Sequence, residues 1–445
     1  MRLYNEITQQ ARGAGTLPNM SSALFILLVV IVVAVAFDYT NGFHDTANAV
    51  ATAIATGALK PRQAVILSAF WNVVGAFISI SVATKIASGL ISTISSKTAK
   101  AVVNGHVIIH GVSALVGTTG LLIVLGALAG AICWNLITWY FTLPSSSSHA
   151  LIGGIIGAAL VSGVTVKWSA LASSVIFPAL FSPLICFGVA AISTFMVYRL
   201  AKKVGADRSK RGYRLGQLIS ASLVSLAHGT NDAQKTMGVI TLALIAYYTG
   251  DHSWAHLHSL LAVTSSHGYV VSSKFSVPIW VKCICAAAMA GGTATGGWRI
   301  INTMGNRITD VESPQGFAAE TGSAAVILAG SYYGYPLSTT HVVSGGVMGS
   351  GVGRRAAVHW NVAGEMAVGW IFTIPSAGVV AALAWSLADL FGNGSAFGGV
   401  VLAVCLALIA AGIFHLASRK PIKMHELDRT ETAKPPAAVP APAAV

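Results

Sequence analysis

The sequence predicts an all-α polytopic membrane protein built from two copies of one unit. Of its 445 residues, 54% are hydrophobic and only 9% are charged, and the mean hydropathy is +0.72. Soluble domains carry about 25% charged residues, so this chain has too little polar material to cover a surface that faces water. Apolar stretches of membrane-spanning length recur along the chain, and two motifs occur twice in the same order.

The apolar stretches mark the predicted membrane elements, at about 20 residues for each spanning helix. The longer stretches cover residues 23–37, 63–83, 115–139, 170–200, 276–297, 361–388 and 396–418. The shorter ones cover residues 43–59, 101–113, 150–164, 216–228, 233–248, 259–272, 320–333 and 342–352. Several short stretches have the length of half-helices or re-entrant hairpins, so we expect about 10–12 membrane helices in all.

The chain divides into two transmembrane repeats joined by a basic loop. The predicted segments are a polar N-terminal segment at 1–20, a first repeat at 21–200, a basic loop at 201–215, a second repeat at 216–390, an additional helix at 391–418 and a basic, then Pro/Ala-rich tail at 419–445. Loops rich in Lys and Arg remain in the cytoplasm. We therefore predict that the basic loop and the C-terminal tail are cytoplasmic.

The net charge of +13 does not indicate nucleic-acid binding. It results from a shortage of acids, 14 against 27 Lys and Arg, and a basic excess is typical of the cytoplasmic loops of membrane proteins. The expected surroundings are a lipid bilayer.

An internal repeat is the most informative feature of the sequence. Residues 42–48 (GFHDTAN) align with 229–235 (GTNDAQK), and the proline-led segment 144–157 aligns with 336–349. The separation from Asp to His is 104 residues in the first copy (149 − 45) and 109 in the second (341 − 232). Discontinuous helices at corresponding places in two halves point to the central site of a secondary transporter.

Asp45 and Asp232 lie inside apolar stretches, one in each repeat. A carboxylate at membrane depth costs about 2.5–3.5 kcal/mol, so it is normally retained for an ion or substrate path. We predict that both bind the coupling ion, with no resident metal or cofactor. The alternative is that each caps a broken helix.

Three consecutive hydroxyl residues precede a Gly-rich apolar helix in each repeat. They are Ser146, Ser147 and Ser148 in the first copy and Ser338, Thr339 and Thr340 in the second. A helix start directs free N–H donors and the positive end of its dipole at an oxyanion. Ordinary N-capping is the alternative for either segment alone. The matching copies favour an anion site with donors from two sides.

Lys235 is the only Lys or Arg within these motifs. It either neutralises the bound anion or pairs with Asp232 at i, i+3. His149 and His341 titrate near neutral pH, so each either relays a proton or supports the re-entrant segment through a hydrogen bond.

At these residues the chain resembles the inorganic phosphate transporter (PiT) family, and most closely its bacterial low-affinity, Pit-type branch. The segments that carry the resemblance are Asn41–Ala49, Trp139–His149, His228–Lys235 and Pro336–His341. The resemblance implies two inverted-topology repeats with broken helices and re-entrant hairpins, forming a homodimeric symporter of the bacterial inner membrane. Asn48, Asn231 and Gln234 would join the hydroxyls at the phosphate position, and the two aspartates would match the coupling-ion position.

Two further residues bear on the coupling ion through the same resemblance. His44 replaces the Asn of the second copy, and Asn72 stands where sodium-coupled eukaryotic members have Glu. Both are similar to the bacterial branch, which implies proton coupling and transport of phosphate, including as a neutral complex with Mg²⁺ or another divalent cation. Sodium-coupled phosphate transport and sulfate transport are the alternatives within the family.

Two other functional classes are less consistent with the motifs. A hydrolase would need Ser148, His149 and an Asp in contact, but adjacent residues point in different directions and make a poor nucleophile and base pair. We therefore expect no enzymatic activity. A passive anion channel differs from a symporter in that a protonophore would not abolish its flux.

Overall fold

The computed structural model describes most of the predicted membrane region. The described residues are 20–86, 99–103, 106–110, 117–164, 166, 168–201, 206–250, 276–391, 396–419, 421–422 and 424–427. Almost all of the polar N-terminal segment, the apolar stretch 259–272 and the tail from residue 428 onward lie outside them.

Helices dominate the described residues. They are α1 (Met20–Ala55), α2 (Pro61–Ile78), α3 (Gly117–Tyr140), α4 (Ser147–Val161), α5 (Phe177–Ala201), α6 (Ala206–Gly250), α7 (Ile279–Thr295), α8 (Trp298–Asn302), α9 (Ser313–Tyr332), α10 (Thr339–Arg354), α11 (Trp360–Leu390) and α12 (Ala396–Ser418). A short helical turn, Trp168–Leu171, and a π-helical segment, Ala172–Ile176, precede α5. A second π-helical segment, Thr303–Arg307, extends α8. A 3₁₀ turn, Met424–Leu427, follows the last helix.

The structure differs from the expectation of broken helices at the two aspartate motifs. The predicted stretches 23–37 and 43–59 form the single helix α1, and the stretches 216–228 and 233–248 form the single helix α6. Gly42 and Gly229 do not interrupt these helices, and each packs closely against the backbone of a neighbouring helix. The carboxylates therefore lie in helix interiors, and the interpretation that they cap broken helices is wrong.

Two other elements differ from the sequence prediction. The stretch 101–113 was expected to be helical, but its described residues belong to an antiparallel pair of strands, β1 (Ala99–Val103) and β2 (His106–His110), in which Val103 pairs with His106. The stretch is rich in β-branched residues, which favour strands. Most of the predicted basic loop is also helical, because α6 already begins at Ala206.

Five described helices are long and apolar enough to cross a bilayer: α1, α3, the helix that ends in α5, α11 and α12. A sixth span results if α7 and α8 with its extension, which meet at a bend of 59°, are counted together. The remaining elements are shorter or more polar. The predicted count of 10–12 depends on including them. The chain is a multi-pass helical membrane protein.

The two glycine-rich helices pack reciprocally across the repeats. A Cβ atom on Gly153 or Gly157 of α4 would overlap the backbone of Ile374 or Gly378 in α11. The corresponding glycines of α10, Gly345 and Gly349, lie equally close to Pro183 and Phe187 of α5. The helix starts of both copies are thus fixed by the opposite half of the chain. Such close approach requires small residues, as is usual for helices that pack within membranes.

The aspartate-bearing helices also pack against helices of the opposite repeat. Gly42 of α1 packs against Met289 of α7, and Gly229 of α6 packs against Asn72 of α2. The two glycines are 187 residues apart (229 − 42), and their partners lie 217 residues apart (289 − 72), each in the opposite repeat. Helices α1 and α6 also contact each other. This arrangement brings the two aspartate motifs together in the interior.

Candidate functional site

The two hydroxyl segments begin helices in the same way. The side chain of Ser146 accepts a hydrogen bond from the His149 amide at 3.2 Å, and Ser338 accepts one from the His341 amide at the same distance. The first hydroxyl of each triplet is therefore an N-cap, as the simpler interpretation held. The second and third hydroxyls lie within the first helical turn and are directed at other partners.

The two helix starts face each other. The Ser148 hydroxyl donates to the carbonyl of Leu337, which precedes the second triplet, at 3.1 Å. The imidazole rings of His149 and His341 lie 4.8 Å apart, centroid to centroid. All six hydroxyl residues are buried. The structure thus brings both segments to one interior point, where two positive helix ends converge.

Asp45 receives hydroxyl contacts from both repeats. Ser147 lies 3.4 Å from one carboxylate oxygen, and Thr339 and Thr340 each lie 3.5 Å from the carboxyl group. The Nδ1 atom of His44 lies 2.7 Å from the same Oδ1 that contacts Ser147. The amide of Asn48, one turn further along α1, donates to Thr339 and Thr340 at 3.2 and 3.0 Å. The first aspartate motif is thereby joined to the second hydroxyl segment.

Asp232 lies in a more strongly charged environment. The Lys235 ammonium group is 2.6 Å from Oδ1, and it also donates to the Ser148 hydroxyl and, at 2.9 Å, to the Leu337 carbonyl. Thr339 lies 3.4 Å from the other carboxylate oxygen. Lys235 is almost completely buried. It therefore pairs with Asp232 and lies at the helix starts, so the two interpretations of this residue are compatible.

A cluster of three groups is suited to hold a cation. Three possible ligand atoms, one each from Asp45, His228 and Asp232, lie within 4.8 Å of one another. All three side chains are buried. The Nδ1 atom of His228 in turn lies 3.1 Å from the side-chain oxygen of Asn72, whose amide donates to Thr293 at 2.9 Å. Asn72 thus orients a potential ligand instead of contacting the aspartates directly. No resident metal was expected here, and the imidazole ligand had been missed.

Some predicted residues lie at the edge of this constellation. The Asn231 amide donates to Ser331 and to the Tyr335 carbonyl, at 2.8 and 3.2 Å. The Gln234 oxygen accepts hydrogen bonds from the backbone amides of Val82 and Ala83. Both side chains hold neighbouring segments in place. His341 stacks on Trp370 at 4.1 Å, which fits the supporting role proposed for the histidines.

Glu320 is a buried acid that lies outside the repeated motifs. Glu320 in α9 accepts hydrogen bonds from Thr52 of α1 and Ser220 of α6. It stands at the very edge of a short apolar stretch, so sequence position gave little indication of its burial. The spacing of Thr52, seven residues after Asp45, would place Glu320 about two helical turns from the central cluster.

Fold and site together define a class of protein. Two buried aspartates, a buried lysine, four hydroxyls and two converging helix starts form a polar interior inside an apolar multi-pass bundle. Polar groups at this depth are typical of a membrane transporter, in which they bind cargo and coupling ions.

The chain belongs to the phosphate transporter family, whose model matches residues 41–381. It is 46% identical over 404 residues to a probable low-affinity inorganic phosphate transporter of Mycobacterium bovis, covering 90% of this chain and 86% of that protein. A protein of the same description from Bacillus subtilis is 37% identical over 377 residues, covering 83% and 99%. The recognised resemblance is confirmed, and the chain is a transporter and not an enzyme.

A solved structure has the same overall fold. It is described as the sodium-dependent phosphate transporter, with a TM-score of 0.63, 21% identity, and coverage of 82% of this chain and 99% of that chain. The match supports an all-α membrane fold. Helix α12 lies beyond the residues that the family model matches.

Proposed function

We propose that this protein is a low-affinity inorganic phosphate symporter driven by protons. The observation that carries the proposal is the convergence of hydroxyls from both repeats on Asp45 and Asp232, beside Lys235. The hydroxyls and the helix starts supply donors for a tetrahedral oxyanion. The named relatives and the family support phosphate as that anion.

The charges at the site explain why transport has to be coupled. Two carboxylates and one lysine leave an excess negative charge before any phosphate enters. Burying unbalanced charge is costly, so the anion would enter only with compensating cations or protons. This electrostatic requirement supports a symport mechanism, whichever cation is used.

The cluster of Asp45, His228 and Asp232 favours a proton over sodium. Hard cations prefer oxygen ligands, whereas imidazole accepts protons near neutral pH. Phosphate would be carried either free or as a complex with Mg²⁺ or another divalent cation. Sodium coupling is the alternative, which the solved relative's description raises at a low sequence identity.

We further propose that the two repeats have inverted topology and rock against each other in alternating access. The reciprocal packing of α4 on α11 and α10 on α5 supports this, because each repeat holds the binding helix of the other. The basic residues near the junction of α5 and α6 support a cytoplasmic location for that end. We propose a homodimer in a bacterial inner membrane.

Phosphate flux into proteoliposomes under imposed gradients tests the coupling. A proton gradient should drive accumulation of radiolabelled phosphate, and a sodium gradient of equal size should not. A protonophore should abolish accumulation, whereas flux that persisted unchanged would indicate a passive channel. An excess of unlabelled sulfate should leave the flux unaffected; strong competition would instead identify a sulfate permease.

A further inference from the structure

Asp38 is a further buried acid in the interior of the bundle, besides Asp45, Asp232 and Glu320. It lies on α1 seven residues before Asp45, which is about two turns and roughly 10 Å along the same helix face. Its side chain is fully buried. One carboxyl oxygen accepts a hydrogen bond from Thr236 of α6 at 2.9 Å, and the other has no hydrogen-bond partner among the described residues.

The three acids on or near α1 differ in their partners. Asp45 is in contact with His44, and Asp232 is in contact with Lys235 and His228. No salt bridge reaches Asp38 from the described residues. An ionised carboxylate that accepts a hydrogen bond from Thr236, lies against the Cys285 thiol and has no salt bridge among the described residues is strongly disfavoured in an apolar interior.

The charged and titratable groups around Asp38 come from several helices. Asp232 and Lys235 of α6 act on it electrostatically, and the Cys285 thiol of α7 lies against it. Helices α3 and α12 also pack on α1 but contain no Asp, Glu, Lys or Arg. Their titratable residues are Cys133, Tyr140, Cys405 and His415. Helices α9 and α10 contact α1 at Thr52 and Asn48, and Gly297, just before α8, contacts Phe43.

The fold does not require an acid at this position. The residue related to Asp38 by the 187-residue offset is Ser225 (225 − 38), whose hydroxyl only donates to the Ala221 carbonyl of its own helix. Thr236 corresponds in the same way to Ala49 (236 − 49). The equivalent helix packing therefore exists without the Asp38–Thr236 hydrogen bond. An unbalanced buried acid that packing does not need is typical of a functional group in a membrane interior.

We propose that Asp38 carries a coupling proton of the transport cycle, separate from the cation that neutralises Asp45 and Asp232. The inference rests on the proposed proton-driven symport and adds a binding position for a proton to it. Water on one side of the membrane delivers a proton to the carboxyl group, which becomes neutral; after the site opens to the other side, the same proton is released to water there. Because an ionised Asp38 adds negative charge near Asp232 and Lys235, its protonation favours phosphate binding, and phosphate binding favours its protonation to the same extent.

The test uses the full-length protein in proteoliposomes and separates exchange from accumulation. Asp38→Asn imitates the neutral acid, so exchange of radiolabelled phosphate between equal concentrations on both sides should continue. Accumulation driven by a proton gradient should be lost. Asp389→Asn, which removes a half-buried acid at the end of α11, is the matched control and should retain both activities.

A second variant, Asp38→Glu, and infrared spectra also test whether Asp38 binds the proton. Asp38→Glu should restore accumulation and shift the pH dependence of phosphate binding, and infrared difference spectra should show a protonated carboxyl band that Asp38→Asn lacks. Accumulation by Asp38→Asn at the wild-type level would overturn the inference. If Asp38→Asn does not fold, an Asp38→Glu variant with an unchanged pH dependence would also overturn it. If a proton gradient did not drive phosphate accumulation by the wild-type protein, the proposed function itself would be refuted.

Discussion

The two repeats have nearly the same backbone arrangement around the site but different charged side chains. Ser146 and Ser338 cap their helices at identical distances, and corresponding glycines make corresponding contacts. The aspartate motifs differ in their partners, because Asp45 has the adjacent His44 whereas Asp232 has Lys235 one turn away. The comparison indicates that the duplicated backbone holds the two helix starts at one interior point, while the differing side chains set the charges around them.

The largest expected effect is the loss of either aspartate. Asp45→Asn or Asp232→Asn removes a charge that the transported cation neutralises, so concentrative phosphate uptake should be abolished in both variants. Uptake of radiolabelled phosphate, normalised to the amount of protein in the membrane, measures this. If only one of the two abolished uptake, the repeats would not contribute equally to ion binding. Wild-type uptake by both variants would refute the assignment.

A smaller effect should distinguish the corresponding residues Lys235 and Asn48. In the proposed site, Lys235 would make a charged hydrogen bond to phosphate, worth about 1.5–3 kcal/mol, whereas the Asn48 amide would make a neutral one of about 1 kcal/mol. Lys235→Met should therefore raise the apparent KM for phosphate by about ten- to a hundredfold, and Asn48→Ala by about fivefold. Initial rates over a range of phosphate concentrations would test this. Equal effects would mean that Lys235 serves only to pair with Asp232.

The reciprocal glycine contacts predict equal losses of stability. A methyl group on Gly157 or Gly349 would overlap a carbonyl of the opposite repeat. Overpacking of this kind costs about 1–3 kcal/mol, so Gly157→Ala and Gly349→Ala should lower the melting temperature by similar amounts. Gly364→Ala in α11 is the control, since its added methyl group would contact nothing within 4 Å. A clear difference between the two glycines would show that the packing is less symmetrical than the contacts suggest.

The smallest effect should separate the two histidines. His341 stacks on Trp370 and contacts His149, whereas His149 has only the His341 contact among the ring pairs of the described residues. Aromatic pairs contribute about 0.5–1.5 kcal/mol, so His341→Ala should destabilise the protein slightly more than His149→Ala. Thermal unfolding in detergent would measure the difference. Loss of proton-driven uptake in either variant with unchanged stability would instead indicate a relay.

Much of this arrangement could be predicted from the sequence. Composition identified a helical membrane protein, and the repeated motifs contained the residues that meet at the centre, among them Asp45, Asp232 and Lys235. Each motif is local and unusual for its apolar surroundings, so it stands out without a structure. The roles of these residues in binding phosphate and the coupling ion stay predictions.

What could not be predicted depends on contacts between distant parts of the chain. Helix α1 continues through Gly42, which packs against Met289, and Asn72 contacts the site through His228 and Thr293. Gln234 has the composition of a ligand but binds the backbone near Val82. Local sequence contains none of these pairings, so it could not distinguish a residue that faces the cargo from one that holds a neighbouring segment.

Each glycine-rich helix packs against a helix of the opposite half, and this has a consequence for biosynthesis. Gly153 is translated 221 residues before Ile374 (374 − 153), the residue against which it packs. The ribosome must therefore release almost the entire protein before α4 meets its final neighbour, and the first half inserts into the membrane with a glycine-lined surface still uncovered. Expressed by itself, that half would lack a complete site, whereas two separately encoded halves could restore uptake by assembling in the same membrane.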